Sequence, residues 1–568
     1  MKIEKLARAS ISSMADYPAP AIVEANYKLN QNESPYDLPD FIKQEIAKRI
    51  TSTSLNRYYD GTSKQLRERL AKKFNVKSKN IIVGSGIDEL LYYLVLAFVN
   101  KGEKIVRPVP SFSMYKICAK VVDAKDKAIK LDENFELTDE FVKESKNAKI
   151  TFICRPNNPT ANSFDKKLIE RIVKNSTGIV CIDEAYAEFA GENCLDLLKY
   201  KNVVIMRTFS KIYSAAAIRL GYAIADEEII RYMNKIKLPW NVSLISQIAG
   251  EIILDNDDYF WQKRVEIITE RKRLEKKMQK INGIILCPSD SNFILFKSMV
   301  NTNILFEKLL SSGVLIRNLE KSGLPGFLRV NAGTPEENNA FITALKERAE
   351  IDSVLFDIDG VIVDVSKSYR LAIQKTAEKF LGREVSQKEI EKIKSIEGFN
   401  NDWDATYALV KGIKNRREVI RKSELYAKIK EGFQRLYLGK FINNEKLLID
   451  ASTLSQLKKA RIKLGVVTSR PRAEAIYALN LFMPDFFSED SIIAQEDCEE
   501  EKPNPKPLLL AKKRINAKNP VYVGDSINDE LAAKAAGMTF ISVKPELRAD
   551  FYVKNINELR VIFNGNKN

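Results

Sequence analysis

A change of hydrophobic period, repeated along the whole chain, limits the folds open to this sequence. Between about Ile81 and Val330, short β-branched runs (Ile81–Val83, Thr151–Cys154, Ile179–Ile182, Val203–Met206) alternate with longer stretches of helical spacing. Such alternation predicts an α/β domain built on a largely parallel sheet. The pattern then starts again, with strands expected at Ser353–Phe356, Leu464–Val467 and Val521–Val523 and a mainly helical insert from roughly Ser366 to Leu447. A chain of 568 residues exceeds what one hydrophobic core usually serves. We therefore expect two α/β domains, residues 1–349 and 350–568, the second carrying a helical cap at about 366–447 over its site. A helix ends near Arg348 and no Gly, Pro or Ser-rich linker follows, which predicts that the two units are closely coupled rather than freely tethered.

The sequence contains no histidine. That excludes Ser-His-Asp and Cys-His nucleophile pairs and every zinc site that needs imidazole, leaving Lys, Asp, Glu, Tyr, Cys or a cofactor to move protons. Six cysteines (Cys118, Cys154, Cys181, Cys194, Cys287, Cys498) lie scattered without a C-x-x-C pair, as buried free thiols of a reducing cytosol would. The longest apolar run, Leu90–Val99, is about half of a membrane span. With no secretory signal visible, a cytoplasmic protein without a membrane partner is expected. The net charge of +16 comes from basic residues interleaved with Glu, as in Glu270–Glu275, so a solvated basic surface is expected rather than a nucleic-acid interface. The basic stretch Lys411–Lys430 can draw in anions, and the acidic run Glu496–Glu501 reads as an exposed loop.

Polar residues follow several of the first domain's strands, where parallel sheets bind ligands. Asp183 and Glu184 end one strand, Arg155-Pro156-Asn157-Asn158-Pro159-Thr160 ends another, and Ser210-Lys211 follows a third, with Arg219 eight residues on. Gly84-Ser85-Gly86-Ile87-Asp88-Glu89 lies between a strand and a helix expected near Leu90, a place where backbone N–H groups cradle phosphate. These motifs together resemble the fold type I aminotransferases that use pyridoxal phosphate, and more closely the histidinol-phosphate aminotransferase family, over about residues 15–349. The resemblance implies that Lys211 bonds the cofactor aldehyde and then carries a proton, and that Asp183 pairs with the pyridinium nitrogen. It places Asn158 and Tyr186 on the phenolic oxygen and Phe112 on the ring, with Gly86, Ile87, Asp88, Ser210 and Arg219 around the phosphate. Tyr58 would reach across from the second subunit of a homodimer. Arg329, Arg317 and Asn32 would bind the substrates, glutamate and a small phosphorylated molecule. Ala161 and Ser85 depart from the family's usual glycine and asparagine.

In the second domain, Asp357-Ile358-Asp359 leaves a strand with carboxylates at i and i+2 on one side. Thr468, Lys502 and Asp525-Ser526-Ile527-Asn528-Asp529 follow at or beyond later strand ends. Over about residues 352–565 this series resembles the haloacid dehalogenase-like phosphatases, implying a Rossmann-like domain with a helical C1-type cap. By that resemblance Asp357 attacks phosphorus and Asp359 serves as acid and base. Mg²⁺ would sit between Asp357, the Asp359 carbonyl and Asp525, with Thr468 and Lys502 neutralising the phosphoryl oxygens and Asp529 in support. In the insert, Gly398-Phe399-Asn400-Asn401-Asp402-Trp403 is either a pocket-lining loop or an ordinary turn. Together the resemblances imply an enzyme that transaminates imidazole acetol phosphate with glutamate and then hydrolyses histidinol phosphate. A phosphatase of the phosphoserine or phosphoglycolate type, a non-catalytic C-terminal module, and nucleic-acid binding stand as the other readings.

Overall fold

The structure, a computed structural model, describes residues 6–14, 24–396, 399 and 401–563. Two compact units divide it. One comprises the chain up to Met278 with Leu286–Lys297 and Phe306–Ala344, the other Gln279–Ile285, Ser298–Leu305 and the chain from Leu345 onward.

The first unit is built on a seven-stranded sheet. Its strands are β1 (Ile81–Gly84), β2 (Lys104–Val109), β3 (Lys125–Lys130), β4 (Ile150–Cys154), β5 (Ile179–Asp183), β6 (Val203–Thr208) and β7 (Gly221–Ala225), in the order β1-β7-β6-β5-β4-β2-β3. Strands β6, β5, β4, β2 and β3 pair in parallel, while β7 runs antiparallel to both neighbours. Side chains of the central strands alternate between two buried cores. Phe152, Cys154, Cys181, Val204 and Met206 face one; Ile153, Val180, Ile182, Val203 and Ile205 face the other. A strand apolar at every position is stable only when both of its faces are covered, which explains the continuous β-branched runs. A smaller antiparallel set, β8 (Phe293–Ser298), β9 (Arg317–Asn318) and β10 (Phe327–Asn331), brings Arg317 opposite Arg329.

The helix after β1, α1 (Ile87–Phe98), begins three residues before the expected Leu90. Gly86, at φ 83°, caps it, and the Glu89 carboxylate accepts the Ser85 N–H at 2.7 Å, so the turn closes earlier than hydropathy alone indicates. Asp88 and Glu89 therefore lie in the first helical turn, where the dipole favours negative charge.

The second unit holds a six-stranded parallel sheet. Its strands β11 (Ser353–Phe356), β14 (Lys463–Val467), β15 (Ile492–Ile493), β16 (Pro520–Gly524), β17 (Thr539–Ser542) and β18 (Phe551–Tyr552) lie in the order β15-β14-β11-β16-β17-β18. Between β11 and β14 the chain leaves through β12 (Val363–Asp364) and returns through β13 (Lys446–Leu447), which pair antiparallel. The helices α2 (Tyr369–Leu381), α3 (Gln387–Lys394), α4 (Asp402–Lys411) and α5 (Glu424–Leu436) fill the interval. Their apolar faces, including Ile373, Tyr407, Ile429 and Phe433, join one buried cluster with Val354, Val466 and Val523 of the sheet.

The acidic run Glu496–Glu501, expected as an exposed loop, is exposed at Glu496 and Glu499 and half-buried at its other acids. Asp497 is gripped by Arg472 and Arg514, Glu501 accepts from Arg421 at 2.8 Å, and Glu500 pairs with Lys506. Cys118, Cys154, Cys181 and Cys194 are buried, Cys287 and Cys498 partly so, and all are free thiols. Among the described residues no helix is long and apolar enough to cross a membrane.

Leu355, fully buried in the central strand β11, packs with Val467, Leu508 and Tyr522. Leu355→Ala should cost about 3–5 kcal/mol, read as a lower urea midpoint at unchanged slope.

Two candidate active sites

In the first unit, the carboxyl ends of β4, β5 and β6 stand in register, with Asp183 beside Cys154 and Met206. Asp183 is buried, and its only described side-chain donor is the Tyr115 hydroxyl, at 2.7 Å; the Ala185 N–H meets the other oxygen at 3.1 Å. Burial pushes this carboxyl up to about 6, and among the described residues no Lys or Arg pairs with it. Tyr115 stacks on Phe152 at 4.7 Å and meets the edge of Phe112 at 5.7 Å, so one tyrosine orients both the acid and the neighbouring aromatic.

The chain at residues 30–32 ties the rest of the site together. Lys211 Nζ donates to the Gln31 carbonyl at 3.1 Å and lies over the Tyr186 ring; burial and then the Arg329 charge lower it to about 8. The Asn32 amide donates to the Tyr186 hydroxyl at 3.0 Å, and Asn292 and Asn331 hold the Asn32 backbone. Arg329 donates to Asn158 Oδ1 at 2.6 Å and to the Asn30 carbonyl at 2.9 Å. Its buried Nε has no partner, and burial lowers the guanidinium to about 10. A desolvated arginine with a spare donor is a ready binder of an anion.

At the other end, a Cβ on Gly86 would fall 2.8 Å from Arg219 Nη2, and one on Gly221 would fall 2.7 Å from the Gly86 carbonyl carbon. Glycine at both positions lets the arginine and the helix N-terminus converge. Arg219, half-exposed, also meets Asp88 at 3.3 Å, and Ser210 is held by Thr208 at 3.0 Å. Ile87 opens α1 beside them. Tyr58 stands apart, 82% exposed and stacked on Trp240. Arg317 is half-buried opposite Arg329.

In the second unit the carboxylates of Asp357, Asp525 and Asp529 offer oxygens within 4.8 Å of one another. Lys502 faces them, 2.7 Å from Asp529 and 3.2 Å from Asp357. Tyr522 and Ser526 also donate to Asp529, at 2.8 and 2.7 Å. Against the effect of burial, Lys502 and these hydroxyls hold Asp529 below the usual carboxylate range. Burial pushes Asp357 up, and burial followed by the Asp529 charge takes Asp525 to about 7. One lysine does not balance three acids, so the cluster fits a hard divalent cation. A Cβ on Gly360 would lie 2.1 Å from Asp525 Oδ2, so glycine alone lets that backbone turn approach the acid.

The sequence expectation gave Asp359 a place at the metal through its main-chain carbonyl, with Asp357 and Asp525. The Asp359 carboxylate accepts from Arg470 at 2.6 and 2.8 Å, and the third carboxylate clustered with Asp357 and Asp525 is that of Asp529, expected in support. Thr468 is buried at the end of β14, its hydroxyl accepting the Arg470 N–H at 3.2 Å. Asn401 caps α4 by accepting from Trp403 and Asp404, and with Asp402 and Trp403 it also lines a pocket beside Asp359. The turn is thus both a helix cap and a pocket wall; Gly398 and Asn400 lie outside the described residues.

Sequence reasoning gave no role to Tyr115, Glu89, Arg470, Glu445 or Tyr522. Arg470, two residues past Thr468, was the one with a positional signal.

The description "Aminotransferase class I and II" matches residues 26–345, and "Haloacid dehalogenase-like hydrolase" matches residues 354–543. The chain belongs to the class I and II aminotransferases, here followed by a haloacid dehalogenase-like hydrolase domain. More narrowly, its N-terminal part is a histidinol-phosphate aminotransferase domain of fold type I. It is 38% identical over 350 residues to the histidinol-phosphate aminotransferase of Thermoanaerobacter sp. (strain X514), covering 61% of this chain and 99% of the relative. The Aquifex aeolicus enzyme of that name is 39% identical over 334 residues, 57% of this chain and 93% of the relative. Among solved structures, histidinol-phosphate aminotransferase from Clostridium acetobutylicum superposes with a TM-score of 0.53 at 26% identity, covering 56% of this chain and 98% of that one. The Sinorhizobium meliloti enzyme, in complex with pyridoxal-5'-phosphate, shares the fold with a TM-score of 0.55 at 22% identity, covering 60% and 96%.

Gly86→Ala must displace the Arg219 guanidinium and hold a side chain at positive φ. We expect a stability loss of about 1–3 kcal/mol, and pyridoxal phosphate retained less well on dialysis than by the parent protein.

Proposed function

We propose that the chain carries out two consecutive reactions, transamination of imidazole acetol phosphate by glutamate and hydrolysis of the resulting histidinol phosphate. The observation that carries the second half is the pocket beside Asp359. Its wall includes Asp402 and Glu474 with the rings of Tyr369 and Trp403. Asp402 is paired with Lys394, whereas Glu474 is held by neutral partners, Tyr369 and Gln434. Among the described residues lining that wall the one cation is Arg470, which spends its donors on Asp359, Glu445 and Tyr437. A leaving group with an amine and an imidazole meets the acids Asp402 and Glu474 and the Tyr369 ring there, whereas the carboxylate of phosphoserine or phosphoglycolate faces those same acids, with Lys430 over the Trp403 ring the nearby cation for it to reach. The clustered, mutually repelling acids also argue against a non-catalytic module.

At the first site the residues fit pyridoxal phosphate. Asp183 is a buried acid awaiting a cation, Gly86 with Arg219 and Ser210 forms a phosphate cradle, and the Tyr186 hydroxyl, already accepting from Asn32, keeps its own proton to donate. When bound, the cofactor supplies an electron sink conjugated to the substrate Cα. Arg329 binds the glutamate carboxylate, with Arg317 as a second cation. Lys211, lowered to about 8, is easily deprotonated near neutral pH and moves the proton at the substrate carbon. Asn158, fixed by Arg329, is positioned for the cofactor's phenolic oxygen, and Phe112 for its ring. Exposed Tyr58 serves the partner subunit's site in a cytoplasmic homodimer.

At the second site Asp357 Oδ attacks phosphorus, the bond to the leaving oxygen breaks with its electron pair on oxygen, and Asp359 gives that oxygen a proton. Asp359 then takes a proton from the water that frees Asp357 and inorganic phosphate. Lys502, oriented by Asp529, and Thr468 meet the phosphoryl oxygens. Asp357, Asp525 and the Asp359 carbonyl would hold Mg²⁺, which adds positive charge at the same place. The helical insert closes the leaving-group side.

Supplied with imidazole acetol phosphate, glutamate and Mg²⁺, the protein should yield 2-oxoglutarate, histidinol and inorganic phosphate. Lys211→Ala should lose at least about 10²-fold of transamination yet still release phosphate from histidinol phosphate, and Asp357→Asn should stop at histidinol phosphate. Faster hydrolysis of phosphoserine or phosphoglycolate by the parent protein would refute the substrate assignment.

The Lys211 amine must be neutral to bond an aldehyde, and its folded value lies near 8. Borohydride trapping of pyridoxal phosphate by apo-protein should therefore rise with pH and level off above about 8; Lys211→Ala should trap none at this position.

A further inference from the structure

Arg470 is buried, with its guanidinium inside a ring of acceptors. Nε and Nη2 donate to one oxygen of Asp359 at 2.8 and 2.6 Å. Nη2 and Nη1 also reach the two oxygens of Glu445 at 3.0 and 3.2 Å, and Nη1 reaches the Tyr437 hydroxyl at 3.3 Å. The Tyr369 ring lies 4.7 Å from the guanidinium carbon. Glu445 is buried as well and accepts from Ser368 Oγ at 3.0 Å and Tyr437 at 3.1 Å.

The location of these partners makes the arrangement more than a buried ion pair. Glu445 immediately precedes β13, through which the insert returns to the sheet, and Ser368 follows β12, through which it departs. Tyr369 opens α2, and Tyr437 follows α5. One planar cation therefore joins the candidate acid–base carboxylate to both ends of the insert. A guanidinium fork fixes direction as well as charge, so the Asp359 oxygen it holds is set by where the insert's two linkers sit.

We propose that Arg470, anchored by Glu445, is the positioning residue that aims Asp359 at the leaving oxygen and makes proton delivery depend on the seating of the helical insert. This rests on the reading of the C-terminal unit as a phosphatase. Truncating Arg470 leaves Glu445 buried and unpaired and risks misfolding, so the informative variants are Arg470→Lys, which keeps charge and loses the fork, and Glu445→Gln, which keeps shape and loses the anchor's charge.

The measurement is single-turnover release of the leaving group by the full-length, Mg²⁺-loaded protein, which isolates the first transfer from the later attack by water. Histidinol phosphate requires protonation of an alkoxide; p-nitrophenyl phosphate releases a stable phenolate and needs little acid assistance. With Arg470→Lys, alcohol release should fall by about 10- to 100-fold and phenolate release by less than about threefold, with Glu445→Gln shifting the ratio in the same direction by a smaller factor. Equal losses on both esters, or no loss on the alkyl ester, would overturn the positioning role. A parent protein that releases neither leaving group would instead overturn the phosphatase reading, and this proposal with it.

Discussion

Both sites depend on the same constraint, a carboxylate carried into a buried position by a strand covered on both faces. Buried Asp183 ends β5, buried Asp357 follows β11 and half-buried Asp525 follows β16, each beyond an apolar run. Such an acid is destabilising until something of opposite charge meets it. In the second unit Lys502 meets part of the charge and a divalent cation fits the remainder. In the first no side-chain cation does so for Asp183 among the described residues, and its partners are the Tyr115 hydroxyl and the Ala185 N–H. Binding capacity is thus an electrostatic debt left by the way the sheets are covered.

The strands were legible because burial on both faces leaves unbroken β-branched runs. Val203–Met206 and Ile179–Ile182 mark their elements almost residue by residue, and the acids, lysines and glycines after such runs mark the sites. The helical insert was legible for the complementary reason, since its spacing has no period of two. The start of α1 was misplaced because capping by Gly86 and Glu89 is a hydrogen-bonding event that an apolar pattern does not encode.

Residues that orient other residues were not legible. Tyr115 lies 68 positions from the Asp183 it serves, and Arg470 lies 111 positions from Asp359. Neither interaction leaves a local spacing to detect; each exists only once the sheet has set strand ends side by side. The same holds for Glu445, whose burial gives an ordinary linker acid its partners. Charge sign alone told only part of the story at Glu496–Glu501, where Glu496 and Glu499 are exposed as expected but arginines distant in sequence grip Asp497 and Glu501.

The pairing of β12 with β13 joins just two residues on each side, Val363 with Leu447 and Asp364 with Lys446. Asp357, Thr468 and Asp525 of the candidate site directly follow strands of the sheet, while the insert beyond that short ladder contributes Tyr369 and Asn401–Trp403 to the pocket. The clustered acids and the pocket wall are therefore carried by different parts of the unit. A graft exchanged between Asp364 and Lys446 that retained a carboxylate at position 445 would set a new pocket wall beside the same clustered acids, making this ladder a natural seam for recombination.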